Sequence, residues 1–157
     1  MFDRREAILA QIEVTLGSLP TDVAPFAEIF RNRGDLSEAR RPAVALLDGT
    51  ENVVLRYASS RGIKMAPILV ELRPQIFALL KARSLDSVVE YGPELSAYRM
   101  AILSALFSDT TLHGLLGQNG KLEYLGLQTD MQSHSTMQGE LHMNFALTYP
   151  LHIGDLS

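Results

Sequence analysis

Cysteine and tryptophan are both missing from the 157 residues of this chain. Without cysteine there is no disulfide and no thiolate metal site, and nothing marks a redox compartment. Long apolar runs are missing too. No stretch approaches the ~18 apolar residues of a membrane-spanning helix, and the opening MFDRREAI is charged where a secretory leader would be apolar. Repeats, low-complexity tracts and dividing linkers are likewise absent, so residues 1–157 are expected to form one domain.

Positive charge is scarce in the second half. Residues 84–157 hold two basic and eight acidic groups, against twelve and ten in residues 1–83. The net charge of −4 argues against a uniformly basic nucleic-acid surface. Two readings of the uneven split stand. It is an accident of a solvated surface, or it serves a protein that meets copies of itself head to tail.

What is present is an ordinary globular balance, 46% apolar and 20% charged. Asp3 and Glu6 have capping-box spacing, and Ile8, Ile12 and Leu16, with Leu9 beside them, put an apolar stripe on a helix over 4–16. Gly17 is expected to end it in a left-handed cap. The stripe fits core packing, with a partner-binding helix as the alternative. A first strand is read over 26–32, then a polar loop over 34–41. The run Ala43–Leu47 suits a central strand, and residues 52–57 its hairpin partner, joined through Asp48-Gly49-Thr50-Glu51. Pro67 and Pro74 break up the next segment, which reads as strands near 66–72 and 75–80.

Pro93 fits the first position of a second helix, with Leu95, Ile102, Leu103, Leu106 and Phe107 on its buried face. Asp109 can cap a short third helix over 110–116. Gly117–Gly120 is a turn, 121–127 a strand and 128–135 a polar loop. From Met137 to Tyr149 the odd positions are mostly apolar and the even ones mostly polar, the period-2 mark of a half-buried strand. At about 3.4 Å per residue it reaches roughly 40 Å. It is expected to protrude from a small sheet, or to bend at a bulge near Gly139.

The chemistry-bearing residues are few. Of His113, His134, His142 and His152, none sits in HExxH or another close metal pair. Glu140 and His142 share one face of the last strand, which fits a solvated or subunit-facing polar row or, less simply, a metal or acid–base site, with His134 as a further member of a small enzyme site. Ser133-His134-Ser135 lacks a nucleophile elbow. Gly117-Gln118-Asn119-Gly120-Lys121 lacks the hydroxyl residue of a phosphate loop, Leu122 standing in its place. Arg31, Arg33, Arg40 and Arg41 flank the 34–39 loop, where they could hold an acidic partner surface or lie solvated beside Asp35 and Glu38. No aromatic stacking set accompanies them, so direct nucleic-acid recognition is not expected.

The order of segments carries a resemblance. REAILAQIEVTLGSL, then FAEIFRNRGDLSEARRPAVALLDGTE, then GPELSAYRMAILSALFSD with TTLHGLL, then GQNGKLEYLGLQTD and the closing MQGELHMNFALTYPL resemble, in order and type, the tail terminator (tail completion) proteins of long-tailed phages and prophages. The match spans about three quarters of the chain and leaves out 58–91. It implies an α+β fold: a mixed, mostly antiparallel sheet of four to six strands, two main helices packed largely on one face, and one short helix. It implies a non-enzymatic subunit without cofactors or metals. It further implies a homo-oligomeric ring, typically a hexamer, that caps the tail tube, stops its polymerisation and offers a surface for head attachment. The implied partners are copies of itself, the tube protein and head–tail connector proteins, with no membrane. The implied location is the cytoplasm during assembly and then the virion. Arg31, Arg33, Arg40, Arg41, Glu140 and His142 are the candidate subunit or tube contacts. Two alternatives are a head–tail joining (neck) protein of the same particles, and a small hydrolase or ligand-binding domain using His134, His142 and Glu140.

Overall fold

The computed structural model describes residues 2–32, 41–56, 68–80, 91–131 and 139–151. The elements are α1 (Arg4–Leu16), β1 (Glu28–Arg31), β2 (Ala43–Arg56), β3 (Ile68–Leu79), α2 (Tyr91–Phe107), α3 (Thr110–Leu116), β4 (Lys121–Met131) and β5 (Gly139–Leu151). The strands form one sheet in the order β1-β2-β3-β5-β4. β1 runs parallel to β2, and every other pairing is antiparallel. This is the mixed α+β sheet that was expected, with five strands.

Helix α1 starts where its caps dictate: Asp3 accepts the Glu6 amide at 3.2 Å. Its stripe of Ile8, Leu9, Ile12 and Leu16 is buried. Two details differ from the sequence reading. The Glu6 carboxylate does not reach back to the cap, because the Arg31 guanidinium takes it. Gly17 has φ −77°, an ordinary right-handed value. A Cβ there would stand 3.4 Å from Ile29 Cδ1, an ordinary contact, so the expected left-handed cap is not made and the position does not demand glycine.

Proline and glycine placed two breaks in the sequence reading where the chain runs straight on. β2 crosses Asp48-Gly49 without turning, and β3 crosses Pro74. The two facts are one. Leu47 pairs with Gln75 and Thr50 with Arg73, so Asp48 and Gly49 stand opposite Pro74 alone. Pro74 has no N–H for the ladder. β2 answers with a bulge, made by Gly49 at φ +72°. A Cβ on Gly49 would lie 1.8 Å from the Arg73 carbonyl oxygen, so only glycine fits. β1 is also shorter than the 26–32 reading, at four residues. β4 continues to Met131 where a loop from 128 was expected.

The alternation in β5 does mark a strand, but not a protruding one. β5 lies inside the sheet between β3 and β4, which are nearly as long. It keeps one register against β3 from end to end. The bulge is on β4 instead, where Leu125 is the extra residue between Tyr124 and Gly126.

The main core lies between the helices and one face of the sheet. Leu141, Met143, Phe145, Leu147 and Tyr149 of β5 join Val70, Leu72, Ile76 and Ala78 of β3 and meet all three helices. In α2, Pro93 is the third residue rather than the first, still in the turn whose N–H groups have no helical acceptor. Leu95, Ile102 and Leu106 are buried as expected, but Phe107 is exposed. Tyr98 completes that face. It is buried, stacks on Phe26 with ring centres 5.2 Å apart, and donates to the Ala24 carbonyl at 2.8 Å. No helix among the described residues is long and apolar enough to cross a membrane.

Candidate assembly surface

The sheet has a second face, and the candidate residues divide around it. The pairing register puts Glu28 and Phe30 of β1, Ala43, Ala45 and Leu47 of β2, Phe77 and Leu79 of β3, and Glu140, His142 and Asn144 of β5 on the side away from the helices. Alternation along each strand enforces this, since neighbours i and i+2 share a face. A small apolar cluster forms there: Ala43 and Ala45 are buried under half-buried Phe30, Phe77 and Leu79. Phe77 stacks on the His142 ring, centres 4.0 Å apart and planes 19° apart. His142 Nε2 is buried and has no hydrogen-bond partner among the described residues.

Farther along the same face the chemistry changes to charge. Arg73 and Glu71 pair at 2.5 Å, and Lys121 and Glu123 pair at 2.5 Å. Glu71 and Lys121 flank Thr148 of β5 from either side. Beside them a depression of about 540 Å³ is lined by Thr50, Arg73, Gln75, Asn144 and Leu125, at the level of the Gly49 bulge.

The arginines do not act as a group. Arg31 lies on the helix-facing side of β1, where it locks α1 to the sheet. Its guanidinium donates to Glu6 at 2.5 and 2.8 Å and to Asp48 at 2.7 and 3.0 Å, with Glu13 at 3.7 Å. Arg5 approaches Asp48 at 3.5 Å. Hydrogen bonds from Arg31 hold the Glu6 and Asp48 carboxyls below their usual range, and the two carboxylates raise Arg31 in turn. Arg31 therefore ties α1 to the sheet through its paired charge. Arg41 is half-buried just before β2. Arg33, Arg40 and His134 lie outside the described residues.

Two further polar knots hold the helical layer. Burial pushes the Asp109 carboxyl up, but donations from Thr15 at 2.5 Å, Gln11 at 2.9 Å and the Leu112 amide at 3.1 Å together bring it below its usual value. Asp109 is thus both the expected cap of α3 and a tie to α1. The buried Tyr149 hydroxyl donates to Glu51, and burial with that carboxylate pushes the phenol above its usual value. Neither tie was visible in the sequence, because the partners stand 94 and 98 residues apart.

Glu140 and His142 do share a face, as their spacing required. The described residues contain no cluster of three or more His, Cys, Asp or Glu able to hold a metal ion. What the second face offers chemically is shape, a small apolar patch and paired charge.

No protein-family model and no curated protein sequence matches the chain. Among solved structures, the chain is similar to the PVC sheath/tube terminator of an extracellular contractile injection system in its extended state. The similarity covers 96% of this chain and 54% of that one, at 15% identity and a TM-score of 0.49. The chain thus spans about half the length of that terminator.

Proposed function

We propose that this chain is a virion assembly subunit that caps the end of a phage-type tail tube, stops its growth and presents the surface to which the head attaches. The observation that carries the reading is the one-sided architecture. Three helices cover one face of a five-stranded mixed sheet, the kind of arrangement that the resemblance to tail terminators implies. Among the described residues, a second face and the long edge strand β4 are left for contact. A cap of this kind acts through complementary shape and charge, and requires no chemical step. A ring of identical subunits suits it, since closed head-to-tail contacts limit their own number. Glu140, His142 and the Phe30–Phe77 patch are the proposed contacts on the second face, in place of Arg31.

The test is electron microscopy of particles assembled with the gene for this chain deleted. Overlong or headless tails are expected. Tails of normal length beside leaking heads would assign the chain to the neck instead, and intact particles would overturn any assembly role.

A further inference from the structure

The chain has four asparagines, and the fold restrains three of them. Asn52 and Asn144 lie inside β2 and β5, where strand pairing fixes an extended backbone and the next residues are Val53 and Phe145. Asn32 accepts the Asp48 amide on its side-chain oxygen at 3.0 Å, and Arg33 follows it. Asn119 differs from all three. It is exposed, it lies in the turn between α3 and β4, and Gly120 follows it.

Asparagine followed by glycine carries its own reaction. The backbone nitrogen of the second residue attacks the side-chain carboxamide carbon. The C–N bond of the carboxamide breaks, and its nitrogen leaves as ammonia with the proton of the attacking N–H. A succinimide ring is left. Water then opens the ring at one of its two carbonyls. Attack at the side-chain carbonyl gives aspartate, and attack at the backbone carbonyl gives isoaspartate, whose main chain runs through one extra carbon. The reaction needs a nitrogen without a bulky neighbour, a backbone able to bend it onto the carboxamide, and water. Gly120 brings no side chain. The turn holds the Gly120 N–H by a single bond to the Gly117 carbonyl at 3.2 Å, the long end of the normal range. Exposure of Asn119 supplies the water.

We infer that Asn119–Gly120 is a site of spontaneous modification in the folded chain, where the carboxamide of Asn119 is lost and an isoaspartyl or aspartyl carboxylate takes its place. The surrounding packing gives the two products different consequences. Gly117 stands at φ +82°, and a Cβ on Gly120 would lie 2.1 Å from the Leu116 carbonyl oxygen, so the turn closes tightly on the end of α3. The extra main-chain carbon of isoaspartate lengthens that turn and displaces the start of β4. Lys121 there stands opposite Thr148, and Leu122 stands opposite Leu147 within the main core. The aspartyl form leaves the turn its length and adds only a charge, on the exposed side of the Lys121–Glu123 ion pair. Isoaspartate therefore weakens the seating of β4, and aspartate does not.

The test ages the full-length protein in mildly alkaline buffer at physiological temperature. Samples are digested and read by mass spectrometry, and isoaspartate is counted by methyl transfer from an isoaspartyl-specific methyltransferase. The expected result is the mass gain of an NH2-to-OH exchange, confined to the peptide that holds Asn119, with methyl acceptance rising alongside it. Asn119→Gln, at an exposed site, should show neither. A denatured sample kept in parallel sets the time in which the unfolded chain converts. No gain at Asn119 in the folded protein over many times that period overturns the inference, and so does an earlier gain at Asn32, Asn52 or Asn144. The thermal midpoint separates the products. The aged parent is expected to melt below the fresh one, while Asn119→Asp melts with the fresh one. An aged sample rich in isoaspartate that melts unchanged removes the consequence drawn for β4, and an equal drop in Asn119→Asp assigns the loss to charge rather than to chain length.

Discussion

The two faces of the sheet are built from the same strands by different rules. The helix-facing side is filled by large apolar side chains, with Phe145, Leu147 and Tyr149 each at most 1% exposed. Its few polar groups are tied off within the chain, Tyr149 to Glu51 and Arg31 to Glu6 and Asp48. The far side has two buried alanines under half-buried rings, then ion pairs at the surface. The large side chains that hold the fold lie on the helix side, and among the described residues the opposite side carries a small alanine-centred patch and paired surface charge.

The sharpest way to break this comparison is to delete an aromatic from each face. Phe145→Ala is expected to cost about 3–5 kcal/mol, the range for a large side chain lost from a packed core. Phe77→Ala should cost less than about half as much, because its ring is only half-buried against Ala43, Ala45 and His142. Urea unfolding of both variants checks it, and equal losses would erase the distinction. Next in size comes the lock between α1 and the sheet. Arg31→Ala leaves Glu6, Asp48 and Glu13 facing one another without their cation, and about 2 kcal/mol is expected to go. Smaller again is Tyr149→Phe, which removes one hydroxyl from Glu51, with about 1 kcal/mol lost. The smallest effect belongs to Val54→Ser, within about 0.5 kcal/mol, because that side chain is already in water.

Titration sharpens the same contrast. Glu6, Asp48 and Asp109 are all lowered in the folded chain. Their contribution is complete above the unfolded carboxylate value, about 4, and is lost as pH falls through the folded values. Tyr149 is raised, so its contribution is complete below the unfolded phenol value, about 10, and declines as pH rises beyond it. Thermal midpoints should therefore fall at both extremes. Tyr149→Phe should blunt the alkaline fall and leave the acid one unchanged.

Local patterns were legible in the sequence, and long-range ones were not. The α1 stripe, the Asp109 cap and the alternation of β5 each follow from residues within a few positions, and the structure has all three. Pro74 and Asp48-Gly49 misled because each is a breaker when taken alone. Only their pairing across two strands turns them into one bulge that both strands survive. The half-buried reading of β5 was sound for its first half, where burial alternates. Its second half is buried on both faces, at Ala146 and Thr148, small side chains flanked by Glu71, Lys121 and Glu123 of the neighbouring strands. Of the candidate contacts, Glu140 and His142 were placed on one face by spacing alone. The ion pairs of Arg31 were not legible, because its partners Glu6 and Asp48 lie 25 and 17 residues away. The Leu125 bulge had no signal at all, since a bulge exists only once a neighbouring strand defines the register.

The proposed role is that of a subunit seated on the end of a growing tube. The direct measurement adds the purified chain, in increasing amount, to polymerising tube protein of the same particle and reads tube lengths by electron microscopy. Mean length is expected to fall as the chain is added, with density for it at one tube end only. Lengths that do not change, with no chain at either end, would contradict it.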